Sequence, residues 1–556
     1  MNWRFHPVSL RIPQPYRRED FLADLGSGLT VGVIALPLAI GFGIASGCTP
    51  AQGLWTAIVG GLLISALGGS RFQIGGPTGA FVPVLAGVVA VHGYSGLAVA
   101  TFLAGILLVL AGSFGLGELL RYIPYPVVAG FTTGIAVIIF LGQTPDFLGL
   151  SIVKPPEAPE LVMELIHHAG ATQWQAVATG ALGLAIVLLF PNLTRRIPAA
   201  IVAVLVTTLL VALLKWPVAT IGSKFGGLPS GLPGWHFPLL TLESVRALAG
   251  PAFTIAALGA IESLLSATVA DGMSDTRHDP NSELIGQGIA NMAVPLVGGF
   301  AATGAIARTA ANIRSGARSS VSGIVHALVL LLFILVAAPL AKHIPLAGLA
   351  AILMGVAIRM AEWDTFGEVW RGSRSDFAAL LATFLLTVLF DLTVGVAVGL
   401  MIAAVLFVRR MEGIAHVHPL TPENDPEADG SHSIRGKTIP EGVVLYRFEG
   451  PLFFAVVAKL EAALRAYSGR PRIIILRMRH VPAMDSSALH ALEVAVEKMH
   501  RDSVRVILTA VQPQPMRVLT SSGLAAKLGD GNFCASSDEA LDRAAELLEE
   551  RSAAKD

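Results

Sequence analysis

Residues 300–312 read FAATGAIARTAAN, and Arg308 is the one charged side chain among them. Long apolar runs flank this stretch on both sides, so a permanent charge stands where a membrane span would otherwise form. On insertion scales a charge at the bilayer centre costs about 2.5–3.5 kcal/mol, which calls for a ligand, a counter-ion or a watery cavity. The neighbours are small. Thr303 and Gly304 mark a break, after which a helix starts near Arg308. A helix that starts in mid-membrane presents unpaired backbone N–H groups and a positive dipole end, which together form an anion site.

A matching stretch lies upstream. FQIGGPTGAFV (72–82) aligns with FAATGAIARTA (300–310) through Phe72 with Phe300 and Gly76 with Gly304. In GGPTGA (75–80) two glycines and Pro77 prevent a regular helix upstream, while Pro77 suits a first helical turn. A second correspondence sets Ile-Pro, then Ala, then Gly at 123, 124, 129 and 134 beside 344, 345, 350 and 355. Two halves of seven spans each must have opposite topology. Inverted repeats are a recurring plan of secondary transporters, with substrate at the midplane between discontinuous helices.

The whole chain supports a membrane setting. Of its 556 residues, 53% are hydrophobic and 14% charged, against about 25% charged in soluble domains. Residues 1–20 read as a cytoplasmic lead-in, not as a cleaved signal. Residues 21–411 form a polytopic α-helical region of about fourteen apolar segments, each near the length a bilayer requires. Predicted inner loops hold Arg71, Arg121, Arg195, Arg196, Arg277, Arg314, Arg318, Arg371 and Arg374, with Arg409 and Arg410 after the last span. Predicted outer loops hold only Lys154, Lys215, Lys224, Arg246 and Lys342, so both termini are expected in the cytoplasm.

Residues 412–442 are rich in Pro, Gly and acids and read as a linker. Residues 443–550 then alternate strands (VVLYRFE, RIIILRM, VRVILTA) with helices (AKLEAALRAY, SALHALEVAVEKMHRD, SDEALDRAAELLEE), which predicts a small soluble α/β domain. The net charge of zero, 39 basic against 39 acidic residues, gives no sign of a nucleic-acid partner. Cys48 and Cys534 lie far apart, no His cluster has metal-ligand spacing, and neither a P-loop nor a hydrolase elbow is present. No cofactor, metal or enzymatic chemistry is expected, and an ATP-driven pump is disfavoured.

Glu262, in LGAIESLLSATVADG (258–272), is the second intramembrane charge, with Ser266 one turn on along the same face. A buried carboxylate near an arginine is suited to bind and release a proton; a plain ion pair with Arg308 is the alternative. In NSELIGQGIANM, Asn281 reads as an N-cap. Glu283, Gln287 and Asn291 form one polar stripe, assigned to packing or interdomain hydrogen bonds in preference to substrate contact. Asp391 reads as a helix cap.

Together these residues resemble the SulP family of anion transporters, also called solute carrier family 26. The resemblance rests on TVGVIALPLAIGFGIASG (30–47), GGPTGAF (75–81), LGAIESLLSA (258–267), NSELIGQGIAN (281–291) and TGAIARTAANIRSGA (303–317). The soluble part is similar to a STAS domain, with MDSSAL (484–489) at a strand-to-helix turn. The resemblance implies a seven-plus-seven inverted repeat with a core of spans 1–4 and 8–11 and a gate of spans 5–7 and 12–14, usually in a homodimer. It implies a substrate between half-helices 3 and 10 that moves with the core in an elevator-like step. Carried over by motif, Phe42, Thr78, Gly79, Ala80, Ala307, Arg308 and Thr309 would line that site, and Glu262 with Ser266 would couple the driving ion. Ala307 stands where some relatives have Ser. Sodium-using bicarbonate transporters of the family look as if they need Asp and Thr where this chain has Glu262 and Ser266, so a proton is the expected partner and sodium the alternative. Sulfate, bicarbonate and C4-dicarboxylates fit equally well, and a passive channel or exchanger on the same fold is the competing class. Ser486 or Ser487 is read first as a helix cap and second as a phosphorylation site for a cytoplasmic regulator.

Overall fold

The computed structural model describes residues 5–8, 15–118, 124–155, 157–194, 197–228, 231, 233–235, 237–390, 392–427, 430–457 and 471–553. Arg121, Arg195, Arg196, Asp391 and all of AKLEAALRAY lie outside them. The chain divides into two compact units, Met1–Met401 and Ile402–Asp556.

In the first unit, seven helices among the described residues are long and apolar enough to cross a membrane, and Ala199–Leu214 and Val321–Val336 are shorter apolar ones. Helix α1 (Arg18–Ala45) is followed by α2 (Pro50–Trp55), a π-helical turn (Thr56–Gly60) and α3 (Gly61–Leu67), which form one second span. The two-residue strand β1 (Gly75–Gly76) then leads through a 3₁₀ turn (Gly79–Phe81) into α4 (Val82–Ser113). Gly93 has φ 65° and ψ −176° within α4, so the helix is two segments: half-helix 3 before it and span 4 after it. Next come α5 (Tyr125–Leu148), α6 (Ala158–His167), α7 (Trp174–Leu193), α8 (Ala199–Leu214) and the short α9 (Ile221–Phe225).

The second half repeats the plan. Span 8 is α10 (Leu242–Ser274), span 9 is α11 (Pro280–Ala293), and β2 (Thr303–Gly304) precedes half-helix 10, α12 (Ile306–Arg314). Then follow α13 (Val321–Val336), α14 (Ala338–Ala341), α15 (Leu346–Met360), α16 (Trp363–Gly372), α17 (Arg374–Leu389) and α18 (Leu392–Ile414).

Packing obeys the repeat. Helix α1 packs on α13 as α10 packs on α4, and α3 meets α13 as α11 meets α4. In the gate, α7 lies on α15 as α17 lies on α5, and α5 and α15 pack on each other. Pro124 and Pro345, matched in the sequence, both stand in extended backbone just before their helices. Strands β1 and β2 pair antiparallel, Gly75 opposite Gly304 and Gly76 opposite Thr303. Since Gly76 corresponds to Gly304, this register is the one a local two-fold axis requires, and both half-helices start from it.

The second unit carries a five-stranded sheet in the order β3 (His416–Leu420), β4 (Val443–Glu449), β5 (Ile473–His480), β6 (Arg505–Thr509), β7 (Phe533–Cys534). Strand β3 is antiparallel to β4, and the remaining pairs are parallel. Parallel strands buried on both faces need nearly continuous apolar runs, and IIILRM in β5 supplies one. Tyr446, Phe448, Ile474, Leu476 and Met478 face one core with α19 (Ser486–Arg501), α20 (Pro513–Ser521) and α21 (Leu524–Leu528). Leu445, Ile473, Ile475 and Ile507 face the other, with Ala540, Leu541 and Ala544 of α22 (Ser537–Ala553).

The stretch read as a linker holds β3 and an ordered turn. Asp425 and Ile434 in it are fully buried, and the Asp425 carboxylate accepts from the backbone N–H of Ile434 (2.8 Å) and from Arg477 (3.3 Å). Burial by itself would raise the Asp425 carboxyl, but these donors outweigh it and hold it below the usual carboxylate range.

Candidate functional site

The site is built where the two half-helices begin. On the first side, Thr78 has extended backbone (φ −126°, ψ 159°) and precedes the Gly79–Phe81 turn. Its hydroxyl does not cap that turn; it donates to the Glu262 Oε2 of α10, 2.9 Å away. Pro77 lies ahead of the helix, not in its first turn as its chemistry suggested, and its carbonyl accepts from Nη2 of Arg308 on the opposite half-helix. Gly79 and Ala80 are buried, and a methyl group on Gly79 would stand 3.4 Å from Cε1 of Phe42, so that ring edge lies beside the helix start.

On the second side, α12 begins at Ile306, with Ala305 extended before it. Ile306 and Ala307 are exposed, whereas Arg308 is 2% exposed and Thr309 is fully buried. Arg308 uses Nη2 for the Pro77 carbonyl, while Nη1 has no hydrogen-bond partner. That free nitrogen lies over Gly76, where a Cβ would come within 2.7 Å of it; Gly76 also has φ +144°, a conformation side chains rarely adopt. Thr309 Oγ1 accepts from the Ile74 backbone N–H (3.0 Å) and from Ser266 Oγ (3.1 Å). The quoted stretch ends on Asn312, whose side chain donates to the Phe72 carbonyl (3.0 Å) and to Ser322 Oγ (2.8 Å).

All nine membrane candidates therefore belong to one region. Phe42, Thr78, Gly79 and Ala80 gather at one helix start, Ala307, Arg308 and Thr309 at the other, and Glu262 and Ser266 of α10 touch one side each. No N···O contact within 4.0 Å joins Glu262 to Arg308; the two opposite charges act on each other through space, and the hydrogen bond to the carboxylate comes from Thr78. A buried guanidinium donor without a partner, between two helix N-termini, can bind an anion by charge and hydrogen bond together.

Several readings of individual residues need correction. Asn281 does not cap α11; Asp279 does, accepting from the backbone N–H groups of Asn281 (3.1 Å) and Ser282 (3.0 Å). The Asn281 side chain accepts from the Gly117 N–H instead. Ser486 and Ser487 are exposed in the first turn of α19, and the cap is Asp485, which accepts from the Ala488 N–H (2.8 Å). A carboxylate one residue earlier takes the position their hydroxyls were expected to fill. The polar stripe of α11 is fully buried and bonds within the core: Gln287 and Asn291 reach the Ala302 carbonyl. Gln73, beside Gly304, escaped the sequence reading; its polarity in an otherwise apolar crossing was the available signal.

Comparison with known proteins places this geometry. The sulfate permease family model matches residues 21–383, and the STAS domain model matches residues 436–540. A Bacillus subtilis (strain 168) protein named "Putative sulfate transporter YvdB" is 44% identical over 528 residues, covering 94% of this chain and 98% of its own. The bicarbonate transporter BicA of Picosynechococcus is 32% identical over 554 residues, covering 96% of both chains. The murine solute carrier 26 family member A9 anion transporter, solved in its inward-facing state, shares the fold. Its TM-score is 0.85 at 18% identity, over 97% of this chain and 94% of that one. These relatives are named as transporters, and this chain is a transporter, not an enzyme. The chain belongs to the sulfate permease family of anion transporters and carries a STAS domain after its membrane unit.

Proposed function

We propose that this protein takes up a small oxyanion or carboxylate in symport with a proton, with the anion held between the starts of half-helices 3 and 10. The observation that carries the reading is the Arg308 guanidinium, buried and pinned by one nitrogen to the Pro77 carbonyl while the other has no partner. An unpaired buried donor is costly, and an anion at this point satisfies it. Ala307 leaves room and adds no hydroxyl, so the backbone N–H groups of α12, Arg308 and Thr309 provide the contacts, with Thr78, Gly79, Ala80 and Phe42 closing the other side. Glu262 binds the coupling proton, and its bond from Thr78 links proton occupancy to the start of half-helix 3, while Ser266, one turn on, donates to Thr309 of half-helix 10.

Transport is an elevator step in which spans 1–4 and 8–11 carry the anion along the gate of spans 5–7 and 12–14. The protein is a homodimer in a bacterial inner membrane, with both termini in the cytoplasm, as the arginine bias supports. Its STAS domain serves as a docking or regulatory module, and the exposed Ser486 and Ser487 are open to phosphorylation. The 44% and 32% identical relatives bear sulfate and bicarbonate in their names, which puts these two anions first on the test panel.

The test is uptake by proteoliposomes of labelled sulfate, bicarbonate, fumarate and succinate under separate proton and sodium gradients. Accumulation of one anion that collapses when the proton gradient is dissipated is the expected result. Dependence on sodium moves the coupling role of Glu262 and Ser266 to that ion, and gradient-independent flux makes the protein a channel or exchanger.

A further inference from the structure

We infer that Glu283 is a positioning residue for transport, acting through Gln73 to hold the start of half-helix 3 and the Glu262 segment of α10 in one arrangement. This rests on the site proposed above. Glu283 is fully buried in the first turn of α11, and four hydrogen bonds converge on its carboxylate. Oε2 accepts from the backbone N–H groups of Gly69 (2.8 Å) and Ser70 (3.0 Å), in the loop that leads to β1. Oε1 accepts from Gln73 Nε2 (3.0 Å) and Ser263 Oγ (2.9 Å).

Gln73 completes the link. Its Nε2 also reaches the Ser263 carbonyl (3.0 Å) and hydroxyl (2.8 Å), and Ser263 is the residue after Glu262. The Gln73 amide packs against Gly304 of β2, where a Cβ would come within 1.9 Å of Nε2. One carboxylate thus joins span 9, the loop before half-helix 3, span 8 at its coupling residue and the β1–β2 crossing. Residues that only fill a core do not require such directional agreement. A buried network left half satisfied costs more than an apolar core, so its geometry is strongly specified.

Glu283→Gln tests this because either response breaks the link. The backbone N–H groups of Gly69 and Ser70 cannot turn, so the amide oxygen must face them and the NH₂ must face Gln73. Left in place, Gln73 Nε2 meets that NH₂ donor against donor; turned over to offer its unpartnered Oε1, Gln73 loses the bond to the Ser263 carbonyl. Gln73→Glu places two carboxylates together. The double variant Glu283→Gln/Gln73→Glu restores a donor to a carboxylate but sets a carboxylate oxygen against the Ser263 carbonyl, which Gln73 Nε2 bonds at 3.0 Å, so its recovery is partial. In proteoliposomes, with the labelled panel anion that the wild type carries, each single variant should raise KM about tenfold or more, and the double should fall about threefold or more below the worse single.

Ser263→Ala, which removes one hydroxyl without changing charge, should raise KM by about threefold and serves if a single variant is not recovered as monodisperse protein. Unchanged KM in the recovered single variants, or in Ser263→Ala, overturns the inference. So does a double variant no better than the worse single, since two independent structural losses would add. Arg308→Ala, run alongside, separates the two proposals: if it binds anion like wild type, the site is wrong. If it fails while the Glu283 variants behave as wild type, only the positioning role is wrong.

Discussion

The two half-helix starts share a backbone and differ in chemistry. Both leave an antiparallel pair of short strands, and both are preceded by an extended residue, Thr78 and Ala305. On the first side the polar group is a neutral hydroxyl already bonded to Glu262; on the second it is Arg308, with a nitrogen unpaired. Symmetric backbone makes a general anion cradle, since helix N-termini attract negative charge whatever their side chains. Under the proposed function the asymmetric side chains divide the work, with charge recognition on one side and coupling on the other.

The largest break in this comparison should come from Arg308→Ala. Removing a charged donor from a buried contact costs about 3 kcal/mol, so anion affinity should fall by about a hundredfold or more. Calorimetric or scintillation-proximity binding by purified, monodisperse protein checks this, and unchanged affinity would remove Arg308 from the site. On the other half, Glu262→Gln keeps an acceptor for Thr78 yet cannot release a proton. Accumulation driven by the proton gradient should fall about tenfold or more while counterflow exchange persists; a wild-type pH dependence of uptake would end its coupling role.

Glycines sharpen the contrast at smaller cost. A Gly304 methyl group meets the Gln73 amide at 1.9 Å, whereas a Gly79 methyl meets Cδ1 of Ile139, a flexible side-chain tip, at 2.6 Å. Gly304→Ala should therefore destabilise the protein by about 2–3 kcal/mol and Gly79→Ala by about 1 kcal/mol, read as unfolding midpoints in detergent. Equal midpoints would show that the first side is packed as tightly as the second.

The STAS domain gives the smallest effect. Asp425 is held below the usual carboxylate range when folded, so its contribution is present above its unfolded value of about 4 and is lost as pH falls through the folded value. Asp425→Asn should lower stability at neutral pH by about 1–2 kcal/mol, and the gap from wild type should narrow as pH falls below the unfolded value and through the folded one. A gap independent of pH would show that packing, not charge, is what the substitution disturbs.

Much of the membrane unit was legible before any coordinates. Gly and Pro interruptions at 75–80 and 303–304 located both half-helices, because residues that cannot continue a helix are visible wherever apolar runs are otherwise unbroken. Arg308 and Glu262 stood out because charge is rare in such runs. Caps were less legible: Asp279 and Asp485 took the positions assigned to Asn281 and to Ser486 or Ser487, since neighbouring side chains compete for the same N–H groups and local geometry chooses. Gln73 was passed over, because a single amide shows nothing of its partners in a linear reading.

What the sequence determined by itself is the class of machine: about fourteen apolar segments in two opposed halves, a broken helix in each, and one fixed positive charge at the second break. Those properties follow from composition, helix-breaking residues and the cost of charge in lipid, all of which act locally along the chain. What only the tertiary structure decided is the partner of each polar group. That Thr78 meets Glu262, that Pro77 meets Arg308 and that Gln73 joins Ser263 to Glu283 depend on how the half-helix starts pack against α10, α11 and each other. These residues are separated by long stretches of chain, so nothing local in the sequence pairs them.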